Sequence, residues 1–256
     1  MLTWLVARIT FLETLRRKDF YVLLILLGLY ALVAVALLQG RAQDDAVRRL
    51  LFSLGLTFSF GSAAILVVVL AARQIPKEIE QGTILPLLAR PLSRGQFLWG
   101  KFLACWLVGV AALAGFAVVI RALVPAPARF SEMLFAQTIV LKAAGVAALT
   151  AMTLMLSLFL PEALNITVSL GYYFLWGILF NILQSALALV GGTAAWLAGR
   201  ALYALPHFEV LNISRVCLAE GAPLAWALIV SLIAYAAAYA AIALVVAHDL
   251  FERRWV

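Results

Sequence analysis

The residues able to do chemistry in this chain are few and far apart. Gly95-Gln-Phe-Leu-Trp-Gly100-Lys101 has the G-x-x-x-x-G-K spacing of a phosphate-binding loop. The next residue is Phe102, where that mechanism needs a Ser or Thr hydroxyl on magnesium, and no strand pattern precedes the glycines. Phe97, Leu98 and Trp99 suit a membrane surface better than a turn wrapped around phosphates, so no nucleotide site is expected here. Lys142 lies inside an apolar run. It reads either as a lysine that snorkels to the surface or pairs with a carbonyl or nearby acid, or as part of a substrate path. His207 falls in a loop and His248 at the end of the last run, so no pair of metal ligands is visible, and no acid falls within a run. Catalytic, cofactor and metal sites are therefore not expected on this chain.

Amides and hydroxyls within the apolar runs are the other candidates. Asn165, Tyr172, Asn181 and Gln184 share one run, and amides are costly against lipid, so they must face protein or water. With Lys142 they are the candidate lining of a polar path. Ser53 and Thr57, Thr150, Thr153 and Ser157, and Ser231, Tyr235 and Tyr239 recur at helical spacing. Such stripes serve helix packing or line a path.

The composition fixes the setting of these groups. Of 256 residues, 66% are hydrophobic and 12% charged, against about 45–50% and about 25% in ordinary soluble domains, which predicts a polytopic membrane protein. The net charge of +7 is scattered at the ends of apolar runs, where it marks loops and anionic headgroups and argues against nucleic acid.

Six runs are long enough to cross a bilayer: 20–38, 51–72, 102–124, 133–160, 163–190 and 224–247. Pro161-Glu162 is the only break between the fourth and fifth. The first run is longer than a signal-peptide core, which predicts an uncleaved span. Six crossings put both termini on one side. The amino terminus, the central loop and the tail hold 11 basic residues against 7 on the other side, which places the termini and the loop in the cytoplasm. The expected architecture is a single all-α transmembrane domain over 1–256. Residues 1–19, with Leu2, Leu5, Val6, Ile9 and Leu12 on one face, form an interfacial helix or a polar start to the first span. Asp44 or Asp45 caps a short helix leading into the second span. Residues 191–223 are too apolar for a free loop and too broken by Gly191-Gly192, Pro206 and Pro223 to span, which predicts one or two helices dipping into the outer interface or packing over the bundle. Cys105 and Cys217 fall on opposite sides of the hydrocarbon core and cannot pair.

The polar stretch 73–101 organises the rest. Pro76 is expected to end the second span's helix. Gly82-Thr83 starts a short helix with Ile84, Leu85, Leu87 and Leu88 as its apolar body, Arg90-Pro91 stops it, and Ser93-x-x-Gln96 is a capping box that opens the third span. A short apolar helix rimmed by Glu78, Glu80, Arg90 and Arg94 suits either a groove on a partner protein or the headgroup layer.

Glu78-Ile-Glu-Gln-Gly-Thr83, Leu87-Leu88-Ala89-Arg90-Pro91-Leu92-Ser93-Arg94 and Gly100-Lys101 resemble the coupling-loop signature of type-2 ABC-transporter permeases, including those assigned to multicopper-enzyme maturation. The resemblance is dense over about 25 residues and weaker across the spans, Leu205–Asn212 and the Phe251–Arg254 tail. It implies that Glu78, Glu80, Gly82, Thr83, Ile84, Leu87, Leu88, Arg90, Pro91, Ser93 and Arg94 contact a separate cytoplasmic ATPase that binds ATP and Mg. It also implies a second permease protomer, and re-entrant helices before the last span. The expected function is an exporter's permease subunit in the inner membrane. A non-transporting scaffold that anchors a cytoplasmic partner is the alternative, and a secondary transporter would require an intramembrane acid or an inverted repeat, neither of which the sequence displays.

Overall fold

The structure is a computed structural model that describes residues 19–40, 43–80, 94–127, 130–203, 205–214 and 223–254. The interfacial helix expected before Asp19, the short helix expected at 83–89 and Cys217 lie outside the described residues. Among the described residues seven α-helices follow in order: α1 (Asp19–Leu38), α2 (Asp45–Glu80), α3 (Arg94–Leu123), α4 (Glu132–Leu156), α5 (Glu162–Val190), α6 (Gly192–Tyr203) and α7 (Trp226–Arg254), with a 3-10 turn at Phe208–Leu211. No strand occurs among the described residues.

Asp45–Glu78, Gly95–Leu123, Glu132–Leu156, Glu162–Leu189 and Trp226–Phe251 are long and apolar enough to cross a membrane, and α1 contributes the shorter apolar stretch Leu23–Leu38. Large side chains such as Leu24, Ile25, Leu32, Ile178 and Ile182 lie bare on the outside of the bundle. A water-soluble protein does not tolerate apolar surface of that extent. The chain is a helical, polytopic membrane protein.

α2 is the axis of the bundle and packs on α1, α3, α4 and α5, while α4 packs on α2, α3 and α7. Its buried face runs through Leu56, Phe60, Ala63, Val67, Leu70 and Ala71 at helical spacing, against Val108, Leu113 and Phe116 of α3 and Leu141, Val146 and Leu149 of α4. α5 and α6 lie at the periphery.

The helix ends show why the chain turns where it does. Asp44 caps α2, its Oδ1 accepting the Ala46 N–H at 3.0 Å, and Arg49 pairs with Asp45 one turn on. α2 runs unbroken from there, without a separate short helix before the span. Ser131 caps α4, its hydroxyl accepting the Leu134 N–H at 3.4 Å. Pro161 stands as the N-cap of α5, so the break expected at Pro161-Glu162 separates α4 from α5. Gly191 and Gly192, at φ 65° and 84°, reverse the chain between α5 and α6 in a region that glycine enters without penalty.

Pro76 does not end α2, contrary to the sequence expectation. The helix continues through it to Glu80, and α3 begins at Arg94, so the described parts of 73–101, 73–80 and 94–101, are helical, and Gln74, Ile75, Phe97, Leu98 and Lys101 in them are buried. An interior proline costs about 3 kcal/mol. Burial of Ile75 and the ties from Lys101 to this last segment of α2 offset that cost.

The Glu80 end of α2 defines a basal end of the bundle, shared by the starts of α3 and α5 and the end of α7. Phe97 of α3 stacks on Phe251 of α7 there at 6.2 Å, and Arg73 of α2 reaches Glu162 of α5 at 2.5 Å. At the opposite, apical end, Arg121 pairs with Glu132, and the Gln137 side-chain amide exchanges two hydrogen bonds of 3.0 Å with the backbone of Leu224. That pair fixes the entry of α7 on α4.

Candidate functional site

Two polar centres lie in the bundle, one at each end. The basal one is a clamp at the mouth of the 81–93 segment. Lys101 of α3 is buried, its ammonium 2.5 Å from Glu78 and donating to Gln74 Oε1 at 2.9 Å, both on α2. The same ammonium lies 5.6 Å from the centre of the Phe97 ring. A buried, paired lysine of this kind fixes the register of two helices more than it stabilises them. Of the residues expected to meet an ATPase, Glu78 is in this clamp, Glu80 closes α2 and Arg94 opens α3. Gly82, Thr83, Ile84, Leu87, Leu88, Arg90, Pro91 and Ser93 lie outside the described residues.

The apical centre is built on the turn at Gly191-Gly192. α6 folds back along α5, with Gln184 donating to the Gly199 carbonyl at 3.2 Å, and the chain then re-enters the bundle. Tyr172 of α5 donates to the Pro206 carbonyl at 2.8 Å, and the His207 N–H donates to the Tyr235 hydroxyl of α7 at 2.9 Å. Phe208 and Leu211 are buried, and Lys142 of α4 donates to Asn212 Oδ1 at 3.2 Å, with Ser214 donating to the same oxygen at 2.7 Å. The segment 206–214 is thus tied to α4, α5 and α7 at once.

This placement changes the reading of Glu209. The sequence put it in an outer loop and found no acid at membrane depth. In the structure its carboxylate lies over Gly177, near the midpoint of the 29-residue α5; a Cβ built on Gly177 would sit 1.6 Å from Glu209 Oε1. Only glycine leaves room for the carboxylate there. Gly177 is roughly 22 Å along α5 from its basal start, at 1.5 Å per residue, so the carboxylate stands beside the middle of α5, where Glu209 itself is exposed on the side of the bundle.

Around Glu209 opens a cavity of about 600 Å³ lined by Phe180, Asn181, Tyr203, His207, Ser231 and Tyr235, among others. His207 is boxed by aromatic rings, with Phe180 edge-on at 4.6 Å, Trp176 at 6.0 Å and Tyr203 at 6.1 Å. His207 Nε2 and Trp176 Nε1 are buried and without a hydrogen-bond partner among the described residues.

The expected path residues therefore separate. Asn181 lines the cavity, Tyr172 anchors Pro206, next to the lining residue His207, and Gln184 holds the α5–α6 hairpin beside a smaller pocket of about 310 Å³. Lys142 does not snorkel: it is fully buried, held by Asn212 and 4.6 Å from the centre of the Phe60 ring. Asn165 lies apart at the basal end, donating to the Thr153 carbonyl at 3.0 Å and accepting from Ser169 at 3.1 Å. Sequence reasoning missed Glu209, His207, Ser231 and Tyr235 as one group. Pro206-His207-Phe208-Glu209, polar and apolar by turns between a double glycine and the last span, was the available signal.

No group of three or more His, Cys, Asp or Glu side chains that could hold a metal occurs among the described residues. A family model described as "Protein of unknown function (DUF2705)" matches residues 30–254. The chain belongs to that family. The matched span of this DUF2705 protein takes in both polar centres and every helix from α2 onward. No curated protein matches the chain.

Proposed function

We propose that the chain is the transmembrane subunit of an ATP-driven exporter of the type-2 ABC class. In this reading it works as a dimer with two cytoplasmic ATPase chains that carry ATP and Mg. α1 is the sixth crossing, the termini and basal end face the cytoplasm, and the membrane is the cytoplasmic one. The observation that carries the reading is the Lys101–Glu78–Gln74 clamp, because it joins the two helices, α2 and α3, that flank in sequence the segment whose residues resemble a coupling loop. α2 has 36 residues, and at 1.5 Å each it is about 54 Å long, well beyond a hydrocarbon layer of about 30 Å. Its end can therefore stand clear of the membrane and meet a partner. Closure of the ATPases on ATP pushes on 83–89, and the clamp passes that displacement to α2, the axis of the bundle, and from there to α5 and the apical cavity. The chain itself performs no bond chemistry.

Replacing Gly82 by Val or Arg94 by Ala in the folded complex is expected to uncouple ATP turnover from transport. Unchanged coupled turnover in both variants would show the coupling assignment to be wrong.

An ion-coupled carrier is the second reading, and Glu209, whose carboxylate lies against the middle of α5, favours it, since such carriers use acids at the level of their spans. It predicts transport driven by an ion gradient without any ATPase. The scaffold reading gains nothing from the cavity.

A further inference from the structure

Packing does not account for the apical cavity. Its volume of about 600 Å³ is within the range of small-molecule sites. Glu209 supplies the only carboxylate or ammonium charge on its lining, and no Lys or Arg pairs with that carboxylate among the described residues. Glu209 is exposed at the open side of the cavity, so its carboxylate is accessible to a charged ligand. The walls say which cation fits: Phe180, Tyr203 and Tyr235 line the cavity, and aromatic rings attract cations. One carboxylate and one boxed imidazole are too few ligands for a metal ion, whereas an organic cation needs only a counter-charge and ring faces. His207 Nε2 and Trp176 Nε1, buried at and beside the cavity, have no hydrogen-bond partner among the described residues.

We propose that the cavity binds a monovalent, amphiphilic organic cation, with its charge on Glu209 and its apolar groups against Phe180, Tyr203 and Tyr235. As a binding site this rests on the cavity alone; as the cargo site of an exporter it rests on the function proposed above.

The test uses the full chain in lipid nanodiscs without an ATPase, with radiolabelled tetraphenylphosphonium as probe and tetraphenylborate, an anion of the same shape, as control. The cation is expected to bind saturably and the anion only to partition into lipid. Glu209→Gln keeps the side chain's size and is expected to weaken cation binding roughly tenfold or more, and Tyr203→Leu several-fold. Gly177→Ala, which pushes the carboxylate out of its seat, is expected to act like Glu209→Gln. Thermal unfolding of each variant checks that it is folded. Binding that is non-saturable, equal for the anion, or unchanged in a folded Glu209→Gln variant overturns the proposal. If Glu209→Gln changes self-association and leaves cation binding intact, the carboxylate faces a second copy of the chain, and the proposal is wrong. Saturable binding by a protein that recruits no ATPase leaves the site standing and removes the exporter reading, so the two claims fail separately.

Discussion

Replacing Lys101 by Met tests the basal clamp most sharply. Met keeps the length and apolar stem of Lys but removes the ammonium, so Glu78 and Gln74 lose a donor that both now share. Breaking a fully buried ion pair costs about 3–5 kcal/mol. Here the Lys101 side chain is 7% exposed and that of Glu78 16%, so water reaches part of the carboxylate and the cost falls toward that of a charged hydrogen bond, about 2 kcal/mol. For a chain of this size, roughly 2–4 °C per kcal/mol gives a fall of about 4–8 °C in the unfolding temperature of purified chain in nanodiscs. Glu78→Gln retains a neutral acceptor and is expected to cost less. The double variant Lys101→Met/Glu78→Gln is expected to be more stable than the sum of the single effects, with a coupling of about 1 kcal/mol. If Lys101→Met unfolds within about 1 °C of the parent, or if the two changes simply add, the clamp is not an energetic link between α2 and α3. The route from the coupling segment into the bundle would then lose its physical basis.

The other expectations follow from the same geometry. Arg73→Gln breaks a pair whose side chains are both more than a third exposed, so it is expected to cost well under 1 kcal/mol and to lose even that at high salt, as read by unfolding temperature against ionic strength. Asn165→Leu is expected to lower stability by about 1 kcal/mol while leaving tetraphenylphosphonium binding unchanged, whereas Asn181→Leu, in the cavity wall, is expected to weaken binding; equal effects of the two would put the path elsewhere. Gly192→Ala, at φ 84°, is expected to cost about 1 kcal/mol and to loosen the α5–α6 hairpin, raising amide exchange across 192–203. With the native cysteines replaced, cysteine at Gln43 is expected to react with an impermeant maleimide from outside intact cells and cysteine at Trp255 only after lysis; the reverse pattern would invert the assigned topology.

The helices were legible because the apolar runs have the length a bilayer imposes, and because Asp44, Pro161 and Gly191-Gly192 mark ends with side-chain or backbone chemistry that sequence carries directly. Pro76 misled because a proline's local cost is readable but its compensation is not: Lys101, 25 residues further on, is what ties the last segment of α2 to α3. Glu209 misled for a related reason. Depth in the membrane follows from where a segment packs, and 206–214 is drawn into the bundle by Tyr172, Tyr235 and Lys142, three residues on three different helices. For Lys142 the sequence left snorkelling, pairing and a path role open, because its acceptor, the side-chain carbonyl of Asn212, lies 70 residues away. Asn165 and Asn181 looked alike in sequence, four and a half helical turns apart on one run; only the neighbours of α5 at each level make one a packing bond and the other part of a cavity wall.

The central claim is that this chain couples to an ATPase. Gentle detergent extraction of the tagged chain from its native membrane, with mass spectrometry of what co-purifies, addresses it most directly. An ABC-type ATPase recovered in equal amount, and lost when Ile84, Leu87 and Leu88 are changed to Asp, is the predicted result. Recovery of the intact chain with no ATPase, under conditions that preserve other membrane complexes, would contradict it.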